Sequence, residues 1–147
     1  MKIRRAKKKD LNEIGKLMKK EFSKPPFNEK DSIKSILKSL NFYYKKAEIY
    51  LAEKNKKIIG VLVFQIEQWW EGKAFIIQDL AVEKEFQNQD VGKSLMEFME
   101  KYAINKKIKR IYFEINKKSS AIKFYKKLGY KVNKNRISMS KKLNRIK

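Results

Sequence analysis

One stretch of this sequence places a polar turn directly before a strongly amphipathic helix. The apolar segment ending in Asp79-Leu80-Ala81-Val82 predicts a strand, and an apolar stripe at helical spacing begins at Val91. The first amides of a helix lack intrahelical partners, and the helix dipole is positive at the same end. The sequence therefore predicts an anion site suited to a pyrophosphate. The turn and helix start that form it are Gln87, Asn88, Gln89, Asp90, Val91, Gly92, Lys93 and Ser94.

The tripeptide Gly92-Lys93-Ser94 imitates the end of the phosphate-binding loop of many nucleotide-binding proteins. That motif requires a glycine at the position where Gln87 stands. The sequence therefore argues against a loop of this nucleotide-binding type.

A second segment, residues 120–130, combines an aromatic pair with a glycine that ends a predicted helix. Ala121, Phe124 and Leu128 share one helical face and indicate ordinary core packing. Tyr125 is offset from that face. Both a structural tyrosine and a tyrosine that takes part in chemistry are compatible with this position.

Together the two segments resemble the GNAT family of N-acetyltransferases. The family's acetyl-CoA signature is Gln or Arg, two residues, Gly, one residue, then Gly or Ala, and Gln87 and Gly92 match it. Asp90 stands where the first glycine is usual, and Asp tolerates left-handed backbone geometry better than most residues. Residues 120–130 are similar to the family's late helix, with its Ala, aromatic-Tyr and Leu-Gly-aromatic pattern.

The resemblance implies an acyltransferase that moves an acetyl group from its cosubstrate acetyl-CoA to a primary amine. A neutral amine attacks the thioester directly, and the absence of Cys fits because no acyl-thiol intermediate can form. In the family, the tyrosine matching Tyr125 lies beside the CoA sulfur and protonates the departing thiolate. The resemblance therefore assigns Tyr125 the role of the acid.

The resemblance also implies which groups hold acetyl-CoA. Amides between Gln89 and Ser94 would bind the pyrophosphate, and one backbone N–H of the strand would face the developing oxyanion. The family's pantetheine-binding asparagine is replaced here by Lys118, and Asn116 is the nearest asparagine. The strand residues that would pair with the pantetheine arm are Leu80, Ala81 and Val82.

The sequence contains no His, so a base that deprotonates the amine must be a carboxylate. Glu114 is the first candidate, because some protein N-terminal acetyltransferases of the family carry a glutamate on this strand. Asp79 is the second, and for both residues a solvated partner of one of the many lysines is the alternative.

The available bases also bear on the identity of the acceptor amine. An α-amino group, with a pKa of about 7.7 to 8.0, needs less help than a lysine near 10.4, so this base set favours a protein N-terminus or a small-molecule amine. The residues Trp69, Trp70 and Glu71 either line an acceptor groove or fill an edge of the sheet.

The elements that must position these residues indicate a mixed α/β fold of about seven strands with helices on both faces. The predicted order is β-α-α-β-β-β-α-β-α-β-β, with parallel strands near residues 77 and 112 joined by the crossover helix. Asp10 and Glu13 predict a capping box at the first helix. The predicted segments are strands at 2–6, 49–52, 58–66, 74–82, 110–115, 130–132 and 137–140, and helices from about 10, at 30–40, from 91 and at 119–128.

Composition limits the remaining possibilities. A chain of 147 residues with 42% hydrophobic residues predicts one folded domain, residues 1–147. The absence of Cys and His argues against disulfides and soft-metal sites, so we expect no metal. No signal peptide or membrane span is apparent, which predicts a cytoplasmic protein without a membrane partner. The oligomeric state is not determined, and a homodimer is compatible with the sequence.

The charge suggests an alternative function. Lys and Arg number 38 against 16 Asp and Glu. The positive electrostatic field of such a chain attracts nucleic acid, the ribosome or a phosphate-bearing cosubstrate. A non-catalytic nucleic-acid- or ribosome-binding module would use this surface with aromatic stacking groups. Those groups would be Tyr43, Tyr44, Trp69 and Trp70.

Overall fold

The computed structural model describes residues 1–144. Short 3-10 turns precede two of its helices, at Lys8–Asp10 and Lys84–Phe86. In chain order the elements are β1 (Lys2–Arg5), α1 (Leu11–Phe22), α2 (Ile33–Lys46), β2 (Glu48–Lys54), β3 (Lys57–Trp69), β4 (Gly72–Val82), α3 (Val91–Asn105), β5 (Arg110–Tyr112) and α4 (Ala121–Lys127). The mixed α/β class is the one predicted.

The strands form one open sheet in the order β1-β2-β3-β4-β5. The pairs β1-β2, β2-β3 and β3-β4 are antiparallel. Short turns join β2 to β3 and β3 to β4, whereas α1 and α2 lie between β1 and β2. β5 is parallel to β4, with Ala74 opposite Arg110 and Ile76 opposite Tyr112. The crossover through α3 therefore produces the parallel pair that its position in the sequence predicts.

The prediction of about seven strands is wrong for the described residues. Within 1–144 neither 130–132 nor 137–140 forms a strand, so the regular elements end at α4 and the predicted order is not matched. Val132, Ile137 and Met139 are exposed. Strand propensity mainly measures packing on a half-buried surface, and these side chains have no such surface to pack against.

Two apolar layers cover the two faces of the sheet. α1 and α2 pack on one face through residues such as Ile14, Leu17 and Leu40, while α3 packs on the other through Leu95 and Met99. A fully buried Leu or Met side chain contributes about 1.5–3 kcal/mol through loss of apolar surface to water. These layers hold the central strands in place between the helices.

The start of α1 differs from the predicted capping box. Asp10 makes no side-chain cap bond to α1; its carboxylate instead accepts from Arg4 at 2.8 Å and from the Lys7 amide at 2.7 Å. Glu13 accepts from the Ile58 amide at 2.8 Å, which joins α1 to β3. Both acids therefore serve other contacts, which outcompete the local cap of α1.

Candidate active site

A β-bulge in β4 determines where Asp79 points. Val63 lies opposite Asp79 and Phe64 opposite Ile77, so Gln78 is an extra residue on β4. Phe75 and Ile77 pack with α3, and strict alternation would send Asp79 to that same face. The extra residue reverses the alternation of side chains between the two faces of the sheet, so Asp79 faces α1 and α2 instead.

The carboxyl of Asp79 lines a cavity of about 280 Å³. α1, α2 and the loop between them supply the other walls, and that loop contributes Glu29 and Asp31. Sequence reasoning named Asp79 but missed these two acids. Along this strand the apolar side chains of one face recur every two residues, except that Ile77 and Leu80 are three residues apart. This irregular spacing is the signal that could have revealed the bulge.

The electrostatics of this cavity alter Asp79. Burial, and secondly the negative charge of Glu29, raise the pKa of the Asp79 carboxyl from 3.8 to about 7. Burial and then the charge of Asp79 raise the pKa of the nearby Tyr43 phenol. Near neutral pH Asp79 therefore exists in both protonation states, the condition that suits a general base.

The edge of β4 beyond its pairing with β5 is open. β5 pairs only with Ala74 to Ile76, and β4 continues to Val82 with no strand on that side within residues 1–144. The Glu83 amide donates to Ile59 on β3, so alternation turns the backbone groups of Leu80 and Val82 toward the open edge. By the same alternation, Ala81 directs its groups toward β3.

The turn before α3 uses left-handed backbone at two non-glycine residues. Asn88 has φ 63° and Asp90 has φ 64°. Asp90 is the N-cap of α3 but makes no side-chain cap bond. The turn expected from the sequence therefore forms with Asp in the position where glycine is usual, and its carboxylate is not engaged in capping.

The first amides of α3 have no partner within the helix. The first helical bond runs from the Ser94 amide to the Asp90 carbonyl at 2.9 Å, which leaves the N–H groups of Val91, Gly92 and Lys93 unpaired within α3. A Cβ on Gly92 would lie 3.3 Å from Phe124 of α4. The glycine thus permits close approach of α4 to this amide-rich end.

Glu21 on α1 is a site residue that sequence reasoning missed. Its buried carboxylate accepts from the Lys84 amide and from Nε2 of Gln87, each at 3.2 Å. Gln87 also donates to the Val82 carbonyl at 2.8 Å. The side chain of Gln87 therefore ties the turn to α1 and β4. Nearby, Nε2 of Gln89 donates to the Glu85 carbonyl at 3.0 Å.

Tyr125 lies on the opposite face of the sheet from Asp79. It belongs to the α3 layer, where its ring centroid is 4.5 Å from that of Phe113 and 5.0 Å from that of Phe124. Burial raises the pKa of Tyr125 to about 12, so its hydroxyl keeps its proton at neutral pH. Within residues 1–144 this hydroxyl makes no hydrogen bond, whereas Tyr130 donates to Glu100.

The remaining predicted residues lie apart from the cavity. Glu114 is exposed after the end of β5 and does not line the Asp79 cavity. Oδ1 of Asn116 accepts from the Lys118 amide at 2.8 Å and shapes the turn before α4.

Trp69 packs edge-on against Tyr112 at the far end of β3, which favours the edge-filling interpretation. At the same hairpin Trp70 is fully exposed, and Glu71 pairs with Arg110 at 2.9 Å.

Comparison with known proteins identifies the family. The model of the acetyltransferase (GNAT) family matches residues 11–130, well over half of the chain. The chain belongs to the GNAT family. It is therefore an acetyltransferase, and the enzymes of this family use acetyl-CoA. No curated protein sequence matches it.

Solved structures share this GNAT fold at low sequence identity. A possible acetyltransferase from Clostridium difficile 630 has a TM-score of 0.84 at 16% identity and covers 97% of this chain and 98% of its own. An aminoglycoside antibiotic 6'-N-acetyltransferase from Acinetobacter haemolyticus has a TM-score of 0.79 at 19% identity, with 98% and 100% covered. An aminoglycoside acetyltransferase from an uncultured soil metagenomic sample, in complex with sisomicin, has a TM-score of 0.76 at 21% identity, with 97% and 96% covered.

Two further findings concern the described part of this GNAT acetyltransferase. Between residues 1 and 144, none of its helices combines the length and apolar character needed to cross a membrane. In the same range, no group of three or more His, Cys, Asp or Glu residues is arranged to hold a metal ion.

Proposed function

We propose that this protein transfers the acetyl group of acetyl-CoA to a primary amine by direct attack, with Asp79 as the base and Tyr125 as the acid. The observation that carries the proposal is the open edge of β4, with a carboxyl of pKa about 7 on one face of the sheet and a protonated phenol on the other. In this proposal the thioester lies along the open edge, between the two faces of the sheet that carry these groups.

The cosubstrate is held along β4 and at the start of α3. Backbone groups of Leu80 and Val82 at the open edge pair with the pantetheine arm in the manner of an added strand. The carbonyl of Val82 is already engaged by Gln87, which leaves its N–H for this purpose. The free amides of Val91 to Lys93 bind the pyrophosphate. Acetyl-CoA supplies the activated acetyl thioester.

The proton movements are divided between the two faces of the sheet. Asp79 takes a proton from the amine that enters the cavity between α1 and α2. An N–H at the β4 edge stabilises the developing oxyanion, and the Tyr125 hydroxyl donates its proton to the departing thiolate. Glu114 is not needed in this scheme, because it lies outside the cavity.

The acceptor is a small-molecule amine or a protein N-terminus. The raised pKa of Asp79 makes it a stronger base than an ordinary carboxylate, so a more basic alkyl amine is also within its reach. The aminoglycoside acetyltransferases that share the fold act on amines of small molecules, which supports the first of these classes.

Thermal unfolding with and without acetyl-CoA tests the proposal. A ligand at 100 times its Kd stabilises the fold by about 2.7 kcal/mol, which raises Tm by roughly 5–10 °C for a chain of this length. Mass spectrometry of the purified protein for retained CoA provides a second measurement. An unchanged Tm at millimolar acetyl-CoA contradicts the proposal.

Salt dependence separates this function from a nucleic-acid-binding module. Affinity for nucleic acid falls steeply between low and moderate salt because many counterions are released. Binding of acetyl-CoA through a few amides should change much less over the same range. Tight, salt-sensitive RNA binding without any effect of acetyl-CoA would favour the non-catalytic module.

A further inference from the structure

The Asp79 cavity has the opposite charge from the rest of the protein. The chain carries 38 Lys and Arg against 16 Asp and Glu, a formal net charge of +22. Within residues 1–144, the acidic residues Glu29, Asp31 and Asp79 nevertheless line the cavity, and no Lys or Arg does so. In such a basic chain, a wall of this kind creates a local negative potential that attracts cations.

Within the part of the chain that the structure describes, these three acidic residues form no ion pair with Lys or Arg. Among residues 1–144 the ion pairs involve other acids, namely Asp10, Glu21, Glu48, Glu53, Glu71 and Glu83. Lys19 reaches the backbone carbonyl of Asp31 at 2.7 Å rather than its carboxylate. Glu29 lies close enough to Asp79 for its charge to raise the pKa of that group, so the two acids repel one another.

The rest of the cavity wall is apolar or hydroxylic. Met18 and Phe22 of α1 and Ile36 of α2 form apolar surface, and Ser35 and Ser39 add hydroxyl groups. Methylene groups lose unfavourable contact with water on such apolar surface, while ammonium groups pair with carboxylates. The wall therefore matches a molecule that alternates short hydrocarbon segments with cationic ends.

We propose that the acceptor is a short linear diamine or polyamine, in which one ammonium group is held by Glu29 and Asp31 while another amine faces Asp79. This proposal rests on the proposed function, because it assigns the substrate class of the same acetyl-transfer site. Asp79 removes the proton of the facing amine, whose nitrogen forms the new amide bond as the bond between the acetyl carbon and the CoA sulfur breaks. The departing thiolate takes its proton from Tyr125.

The size of the cavity is compatible with a small acceptor. It measures about 280 Å³, at the lower end of the range of about 300–1,000 Å³ usual for sites that bind drug-sized ligands. A linear diamine with a few methylene groups fits within that volume together with water. The second ammonium also distinguishes this class from an ordinary monoamine of the same length.

Steady-state acetylation of matched amines tests the proposal. The probes are 1,4-diaminobutane and spermidine, compared with 1-aminobutane, and released CoA is measured with a thiol reagent. The protein itself contains no Cys, so the thiol signal comes from CoA alone. We expect kcat/KM for the two polyamines to exceed that for the monoamine by about 3- to 30-fold, because Glu29 and Asp31 are exposed and solvent weakens their ion pairs with the second ammonium.

The double variant Glu29→Gln with Asp31→Asn identifies the groups responsible. It should remove the preference, so that the ratio of kcat/KM for the polyamines to kcat/KM for 1-aminobutane falls by about 3- to 30-fold, mainly through the KM of the polyamines. The ratio is taken on one preparation, because loss of the Glu29 charge also lowers the raised pKa of Asp79 and so changes both rates. The control is Glu67→Gln with Glu97→Gln, which removes two exposed charges outside the cavity and should preserve the preference. Circular dichroism of each variant checks that it is folded.

Other outcomes overturn the proposal in distinguishable ways. Equal kcat/KM for monoamine and diamine, or a preference that survives in the double variant, excludes the second-ammonium site. Turnover of kanamycin or of peptide N-termini without turnover of spermidine rejects the substrate class but leaves acetyl transfer intact. If acetyl-CoA fails to raise Tm, the proposed function itself is rejected.

Discussion

Replacing Asp79 with Asn should abolish most of the activity while making the protein more stable above neutral pH. The folded state binds a proton at Asp79 more tightly than the unfolded chain, because the pKa is raised from 3.8 to about 7. The contribution of this group to stability is therefore complete below pH 3.8 and is lost as the pH rises to about 7. An amide keeps the shape of the side chain but cannot ionise.

The magnitude follows from the pKa. Each pH unit between the two pKa values costs the folded protein about 1.4 kcal/mol, or roughly 4 kcal/mol across the whole interval. Asp79 is only half-buried, so solvent screening reduces this figure, and we expect about 2–4 kcal/mol. The Asp79→Asn variant should thus exceed wild type by this amount at about pH 8.5 and by about 1 kcal/mol or less at about pH 4.5.

Urea unfolding followed by circular dichroism at these two pH values measures the difference in stability. Rates on the same preparations should show kcat falling by about 100-fold or more, since general base catalysis contributes about 10²–10⁴-fold. In the wild type, kcat/KM should rise with pH near 7 as Asp79 ionises, and this rise should disappear in the variant. The control variant Glu97→Gln removes an exposed charge on α3 and should leave turnover unchanged.

Either of two results would refute this reasoning. A stability difference that stays the same at the acidic and the alkaline pH would mean that the pKa of the Asp79 carboxyl is not raised in the folded state. Turnover within about threefold of wild type in the folded Asp79→Asn variant would remove Asp79 from the mechanism.

Three further substitutions test the rest of the site. Tyr125→Phe should lower kcat roughly 10- to 1,000-fold with a similar KM for acetyl-CoA and little change in Tm, because the hydroxyl has no partner within 1–144; normal turnover would exclude it as the acid. Asp90→Gly should keep or tighten acetyl-CoA binding in calorimetry, since it deletes a charge beside the α3 amides and no cap bond is lost; weaker binding would reveal a positive role for Asp90. Glu21→Ala should lower Tm by several degrees and raise KM for acetyl-CoA several-fold, because the turn loses its bonds to α1; an unchanged KM would separate Glu21 from the cosubstrate site.

Much of the fold could be predicted because its elements are encoded by local patterns. The apolar residues from Val91 to Ala103 recur with the 3.6-residue period of an α-helix, and α3 occupies Val91–Asn105. The β-branched runs at 58–66 and 74–82 lie within β3 and β4. Residues 130–140 show where local patterns fail. Their short apolar segments could form strands only by pairing with an edge of the sheet, and within 1–144 they do not pair.

The cosubstrate turn was also predictable, but the contacts that support it were not. Asn88 and Asp90 are residue types that enter left-handed geometry readily, and both do so. Gln87 matches a family signature, yet its partner Glu21 lies 66 positions earlier in the chain. A hydrogen bond between such distant residues depends on how α1 packs on the sheet, which no local pattern specifies.

The sequence by itself determined the mixed α/β class, the parallel crossover and the amide-rich start of α3, because these follow from periodicity, residue propensity and chain order. Tertiary structure alone decided the chemistry of Asp79. The bulge at Gln78 turns its side chain toward α1 and α2, and burial beside Glu29 then raises its pKa to about 7. Desolvation and charge repulsion act through space, so they depend on which distant segments come together rather than on the residues beside Asp79 in the chain.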